Sequence, residues 1–197
     1  IELSKYYDIT IVVEQNEVSD EWIKSNCKIE NCEWLHKNNN KIDRILYHFG
    51  NSTYHAHMFD LLEKIPGVVV MHDFFLSSIL AQLEYSENNN VWTRALYDSH
   101  GYAAVYDRFH EADITDVIWK YPANINIIKE AYGVIVHSKS TCSLAQKWYG
   151  KNSTNYFATV PLLRYPCTKI DKEQARRILG ISDNEFVVCV FGLLGKT

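Results

Sequence analysis

The sequence predicts an α/β fold, a doubly wound parallel sheet with helices on both faces. Three observations carry this reading. Short runs of apolar and β-branched residues alternate along the chain with helix-type segments rather than with one another. One of them, Val68-Val69-Val70-Met71, is apolar throughout, as expected of a strand covered on both faces. Small polar residues stand where these runs end and the helices begin, the position that favours a side-chain cap.

Each element follows in order. Residues 8–14 (Asp8-Ile9-Thr10-Ile11-Val12-Val13-Glu14) read as a buried strand. Ser19, followed by Asp20 and Glu21, opens a short helix with acids at its positive end. The stretch from Cys27 to Lys41 is mixed and contains the loop Asn38-Asn39-Asn40. Residues 44–49 form the next strand, closed by the turn Gly50-Asn51-Ser52-Thr53. Ser52 or Thr53 is expected to cap a helix through Met58, Leu61 and Leu62, which Pro66-Gly67 breaks.

The all-apolar strand 68–71 runs into His72-Asp73, and Asp73 is expected to cap the helix carrying Phe75, Ile79 and Leu83. Residues 85–90 read as a mobile surface loop. Helical segments follow around 92–98, 103–109, 114–119 and 125–131, with Pro122 as a break. Residues 133–136 are a strand ended by His137-Ser138, where Ser138 is expected to cap a helix running to Gly150. A short strand at 158–162, a helix from Asp171 to Gly180 and a strand at 186–191 complete the pattern.

Composition narrows the partners. Of 197 residues, 20 are Lys or Arg and 24 are Asp or Glu, a net charge of −4 with both signs interspersed. Neither a nucleic-acid surface nor a polybasic membrane patch is expected from that balance. The five cysteines are scattered without a C-x-x-C pair, which argues against a zinc or redox motif and for a reducing compartment. No cofactor and no metal site is expected.

In a parallel sheet, ligands bind beyond the carboxyl ends of the strands. The loops Gly50-Asn51-Ser52, His72-Asp73 and His137-Ser138 are all expected there. His72 is the candidate catalytic residue, since an imidazole at a strand end can hold a hydroxyl or stabilise charge. Gly50, Asn51, His55, Asp73 and Ser138 are candidate substrate contacts. His55 and His57 lie two residues apart and point to different faces, so they do not form a helical metal pair. Gly192, Gly195 and Lys196 resemble a phosphate loop but lack full P-loop spacing.

The run Tyr47-His48-Phe49-Gly50-Asn51-Ser52 with His55, then Pro66-Gly67-Val68-Val69-Val70-Met71-His72-Asp73, resembles the amino-terminal domain of family 4 glycosyltransferases of GT-B architecture. Tyr121-Pro122, and Ala131-Tyr132-Gly133-Val134-Ile135-Val136-His137-Ser138, are similar to the same family's last large strand–helix unit. Residues 188–197 look like the opening of its second domain. The resemblance implies a Rossmann-like domain over 1–180, lacking its first strand and glycine-rich loop, and the start of a donor-binding domain at 181–197.

It further implies a retaining transferase that moves sugar from a nucleotide-sugar donor to a glycan or lipid-linked acceptor, in surface-polysaccharide assembly. The family's location would be the cytoplasm, with peripheral association at the inner face of the plasma membrane in the full-length protein. His72 matches the histidine near the donor sugar's reactive end. Gly192 and Gly195, with Lys196, match the loop that contacts the diphosphate. The acidic pair that contacts the donor in the second domain has no counterpart in these residues, so this chain alone is expected to transfer little sugar. The rival expectations are a non-catalytic α/β binding or scaffold subunit, and a sugar-nucleotide epimerase of GT-B fold.

Overall fold

The computed structural model describes residues 1–162 and 171–189. Two compact units divide the chain, one over Ile1–Pro161 and one from Leu162 onward. The first unit contains β1 (Thr10–Val12), α1 (Glu21–Asn26), β2 (Lys28–Glu30), α2 (Cys32–Asn38), β3 (Leu46–Phe49), α3 (His57–Lys64) and β4 (Val68–Met71). It continues with α4 (Ser77–Glu87), α5 (Val91–His100), α6 (Tyr102–His110), α7 (Ile114–Lys120), α8 (Ile125–Glu130), β5 (Gly133–Val136), α9 (Lys139–Tyr149) and β6 (Phe157–Thr159). The described part of the second unit holds α10 (Lys172–Leu179).

The fold is α/β with parallel sheets flanked by helices, in the Rossmann-like manner the sequence predicts. β1 and β2 pair parallel. β3, β4, β5 and β6 form a four-stranded parallel sheet in that order. Each parallel step needs a crossover: α3 supplies the one from β3 to β4, α4 to α8 the next, and α9 the last.

Strand alternation sorts the residues of this sheet. Tyr47 and Phe49 of β3 are buried and Leu46 and His48 are exposed. Phe49, Val69, Met71, Val134 and Val136 join one core with Leu62 of α3, Ile79 of α4, Trp92 and Leu96 of α5, Val117 of α7 and Ala145 of α9. The Phe49 ring meets Phe59 of α3 edge-on, with centroids 5.2 Å apart.

Helix starts follow the capping chemistry, with informative exceptions. Ser138 Oγ accepts from Thr141 N in α9, and Asp171 Oδ1 accepts from Glu173 N in α10, which ends at Gly180 in the left-handed region (φ +67°). The α1 cap is Asp20 rather than Ser19: its Oδ1 accepts from Ile23 N at 2.9 Å. Between Cys27 and Lys41, read only as mixed, β2 and α2 both form, with Asn31 capping α2 at Trp34 N. Neither Ser52 nor Thr53 makes a side-chain cap. Thr53–His55 is a 3₁₀ turn instead, and α3 begins at His57.

Three further expectations change. Tyr85 to Glu87 are not loop but the last turn of α4, which stops when Asn88 turns left-handed at φ 51°. The strand expected over 158–162 is Phe157–Thr159. Val160 N still reaches Val136 O, but Pro161 has no N–H with which to extend the ladder. Residues 186–189 form no strand, and Phe186 is 94% exposed, because among the described residues no neighbouring strand pairs with them. Residues 190 and 191 of that expected strand lie outside the described residues.

Candidate functional site

Register builds the site. His48 lies opposite Val70, and Val70 opposite Ile135. Residues opposite one another in a ladder share a face, and so do residues two apart on one strand. His72 stands two residues after Val70, and His137 two after Ile135. His48, His72 and His137 therefore share one face, opposite the one that carries Tyr47 and Phe49. The ladder continues past the strand ends, since His72 N donates to Phe49 O and Val160 N to Val136 O, both at 2.8 Å.

The three rings meet in series. His48 Nδ1 lies 3.0 Å from His72 Nε2, and His72 Nδ1 lies 3.1 Å from His137 Nε2. His137 Nδ1 is 2.9 Å from the carbonyl oxygen of Val160. Ring centroids are 5.3 Å apart at a 22° tilt for the first pair and 5.0 Å apart at 34° for the second. With nitrogens this close, such centroid separations describe rings joined end to end by N–H···N bonds rather than rings stacked face to face.

The neighbouring loops are locked to each other. Asp73 was expected to cap α4 but instead accepts the Asn51 N–H at 2.8 Å through Oδ2. The cap it leaves is supplied from the next loop, where Asn51 Oδ1 accepts from Ile79 N at 2.9 Å. Gly50 is closely packed. A Cβ there would stand 2.8 Å from His55 Nε2 and 3.5 Å from Asp73 Oδ2. His55 thus closes over the first loop, and its Nδ1 is buried without a hydrogen-bond partner. The Ser138 hydroxyl is engaged in capping α9.

Partial desolvation lowers the basicity of two rings of the row. The His48 imidazole is held below its ordinary pKa first by desolvation and then by His72, His55 and His137. His72 is lowered by desolvation, then by His137 and His55, against a smaller opposing pull from Asp73. A proton on one ring therefore disfavours a proton on the next.

The structure thus brings together Gly50, Asn51, His55, His72 and Asp73, with Ser138 beside His137. Gly192, Gly195 and Lys196 lie outside the described residues. Two members of the row, His48 and His137, were not candidates by sequence. His48 read as one more strand residue and His137 as a bare strand end, and only the inter-strand register makes them neighbours of His72.

Other features offer less chemistry. The Cys32 thiol is pushed up to about 12 by burial and by Glu14, so it is not a thiolate nucleophile. Among the described residues no group of three His, Cys, Asp or Glu side chains converges as metal ligands, and four of the row's six ring nitrogens face one another. A hollow of about 730 Å³ is lined by Glu84, Arg94, Tyr97, Arg108 and Phe109, among others, and by no residue of the three loops. Its Glu84 already bonds Thr93 and Arg108. Among the described residues no helix is long and apolar enough to cross a membrane. Comparison of the chain with protein-family models, curated proteins and solved structures returns no match.

Proposed function

We propose that this chain is the acceptor-side half of a nucleotide-sugar-dependent glycosyltransferase. It would bind a glycan or lipid-linked acceptor along the rim formed by Gly50-Asn51, His72-Asp73 and His137-Ser138. One observation carries the reading: three loops from three adjacent parallel strands bring their polar groups to one carboxyl edge, the edge where such sheets take their ligands. A row of imidazoles, whose ring nitrogens donate or accept single hydrogen bonds, suits a polyhydroxyl ligand better than a highly charged one.

In this reading His72 sits at the middle of the rim and positions the transferred sugar. The Asp73–Asn51–Ile79 hydrogen bonds hold the two loops rigid, so that little order is lost when ligand arrives. The retaining outcome, the nucleotide-sugar donor and a place in surface-polysaccharide assembly follow from the family resemblance and belong to the same proposal.

The test is transfer by the polypeptide as the cell makes it. Labelled nucleotide sugars are offered with a panel of glycan and lipid-linked acceptors, and products are weighed. The expected result is one added sugar, with His72→Ala lowering kcat/KM by about 10²-fold or more. Absence of transfer from every donor would overturn the proposal. Transfer unaffected by His72→Ala would move the chemistry away from this rim and leave the chain a binding subunit.

A further inference from the structure

We infer that His48, His72 and His137 form one directed chain of imidazoles, with every ring protonated on Nδ1 and with a hydrogen-bond acceptor, His48 Nε2, at its open end. The direction follows from a single fixed point. The Val160 carbonyl can only accept, so His137 Nδ1 must carry its hydrogen. A neutral ring has one N–H, so His137 Nε2 is an acceptor and His72 Nδ1 must donate to it. His72 Nε2 is then the acceptor for His48 Nδ1–H. The Nδ1–H form is selected three times over by one backbone oxygen.

The open end is therefore polarised. His48 is exposed, and among the described residues no hydrogen bond engages its Nε2. At neutral pH that nitrogen offers a lone pair, and the ligand group it takes is a hydroxyl donating its hydrogen. This assigns His48 as a ligand contact and His137 as a positioning residue that acts through His72. Calling the hydroxyl-bearing ligand a saccharide rests on the function proposed above, whereas the direction of the chain does not.

Acidification reverses the polarity in one step. A solvent proton bonds to His48 Nε2, the His48 Nδ1 proton passes to His72 Nε2, and the His72 Nδ1 proton passes to His137 Nε2. The rings then hold one extra proton in all, and His48 Nε2–H is now a donor. The other titratable groups facing the row are His55, which opposes the charge, and Asp73, which favours it. Repulsion between adjacent imidazoliums opposes the uptake of a second proton.

Long-range ¹H–¹⁵N spectra of ¹⁵N-histidine-labelled protein report which nitrogen of each ring carries hydrogen. At pH 8 the expected result is Nδ1–H for His48, His72 and His137. Acidification is expected to move all three in one shared transition that takes up one proton. An Nε2–H form for any of the three, or three independent transitions, would overturn the chain, and this reading needs no variant. His137→Phe, its fold checked by amide shifts, should release His48 and His72 into mixed forms; unchanged Nδ1–H forms would deny His137 its positioning role. Methyl glycosides at pH 8 should shift His48 Nε2 more than His48 Nδ1. A directed chain that ignores every glycoside would overturn the saccharide contact alone and leave the chain standing.

Discussion

At the rim, two side chains have exchanged the tasks that local spacing would give them. Asp73 stands where an α4 cap is expected, yet it binds the Asn51 N–H, and Asn51 caps α4 at Ile79 from another loop. Asn51→Ala should thus lower stability by about 1 kcal/mol in chemical unfolding, the usual cost of a lost cap. A change within 0.2 kcal/mol would show the bond to be idle. Glycine positions separate in the same way. A Cβ at Gly67 would stand 2.8 Å from the backbone oxygen of Ile45, whereas one at Gly50 meets the end of the His55 side chain. Gly67→Ala should therefore cost roughly 1–3 kcal/mol, and Gly50→Ala less, with the His55 ring displaced. His72 and its loop were legible in the sequence because a polar pair after an apolar strand is a local pattern. The partners of each side chain were not, since they come from loops 22 to 65 residues away.

Among the elements, what could be read was whatever carries its own signal. Strand runs at β3, β4 and β5 and the helices from α5 to α9 declare themselves through apolar periodicity, caps and the break at Pro122. β2 has only three residues and Asn31 caps α2 without an obvious apolar repeat, so that region read as mixed. Register is the deeper gap. Nothing local says that His48 faces Val70, yet a shift by one residue would send His48 to the core face and dissolve the histidine row. The α4–α6 layer supplies an independent check on helix packing. Glu84 of α4 is 5% exposed and pairs with Arg108 of α6, whose side chain is 11% exposed, while also accepting from Thr93. Arg108→Ala leaves a buried carboxylate without its cation and should lower unfolding free energy by roughly 3 kcal/mol or more. A loss below 1 kcal/mol would mean that water replaces the guanidinium.

For the molecule as a whole, acidity should act through partly desolvated imidazoles. Burial pushes His100 from its ordinary 6.5 down to about 4, and its Nε2 accepts the Ala123 N–H. The unfolded chain takes this proton near pH 6.5, whereas the folded protein resists it until about pH 4. Stability from this group is thus complete above about 6.5 and declines as pH falls toward 4, by on the order of 1–2 kcal/mol after allowance for partial solvent screening. His48 and His72, also lowered, add to the same trend. Chemical unfolding at pH 7 and pH 4.5 should show a smaller fall for His100→Gln than for the unsubstituted protein. An equal fall would assign the acid sensitivity elsewhere.

The rim's role rests on where a hydroxylated ligand settles, and amide chemical-shift mapping with oligosaccharides and nucleotide sugars locates it. Shifts concentrated at Gly50-Asn51, His72-Asp73 and His137-Ser138, saturating with ligand and lost in His72→Ala, are the result expected. Saturable shifts confined to the Glu84–Arg108 hollow, with those three loops silent, would contradict it.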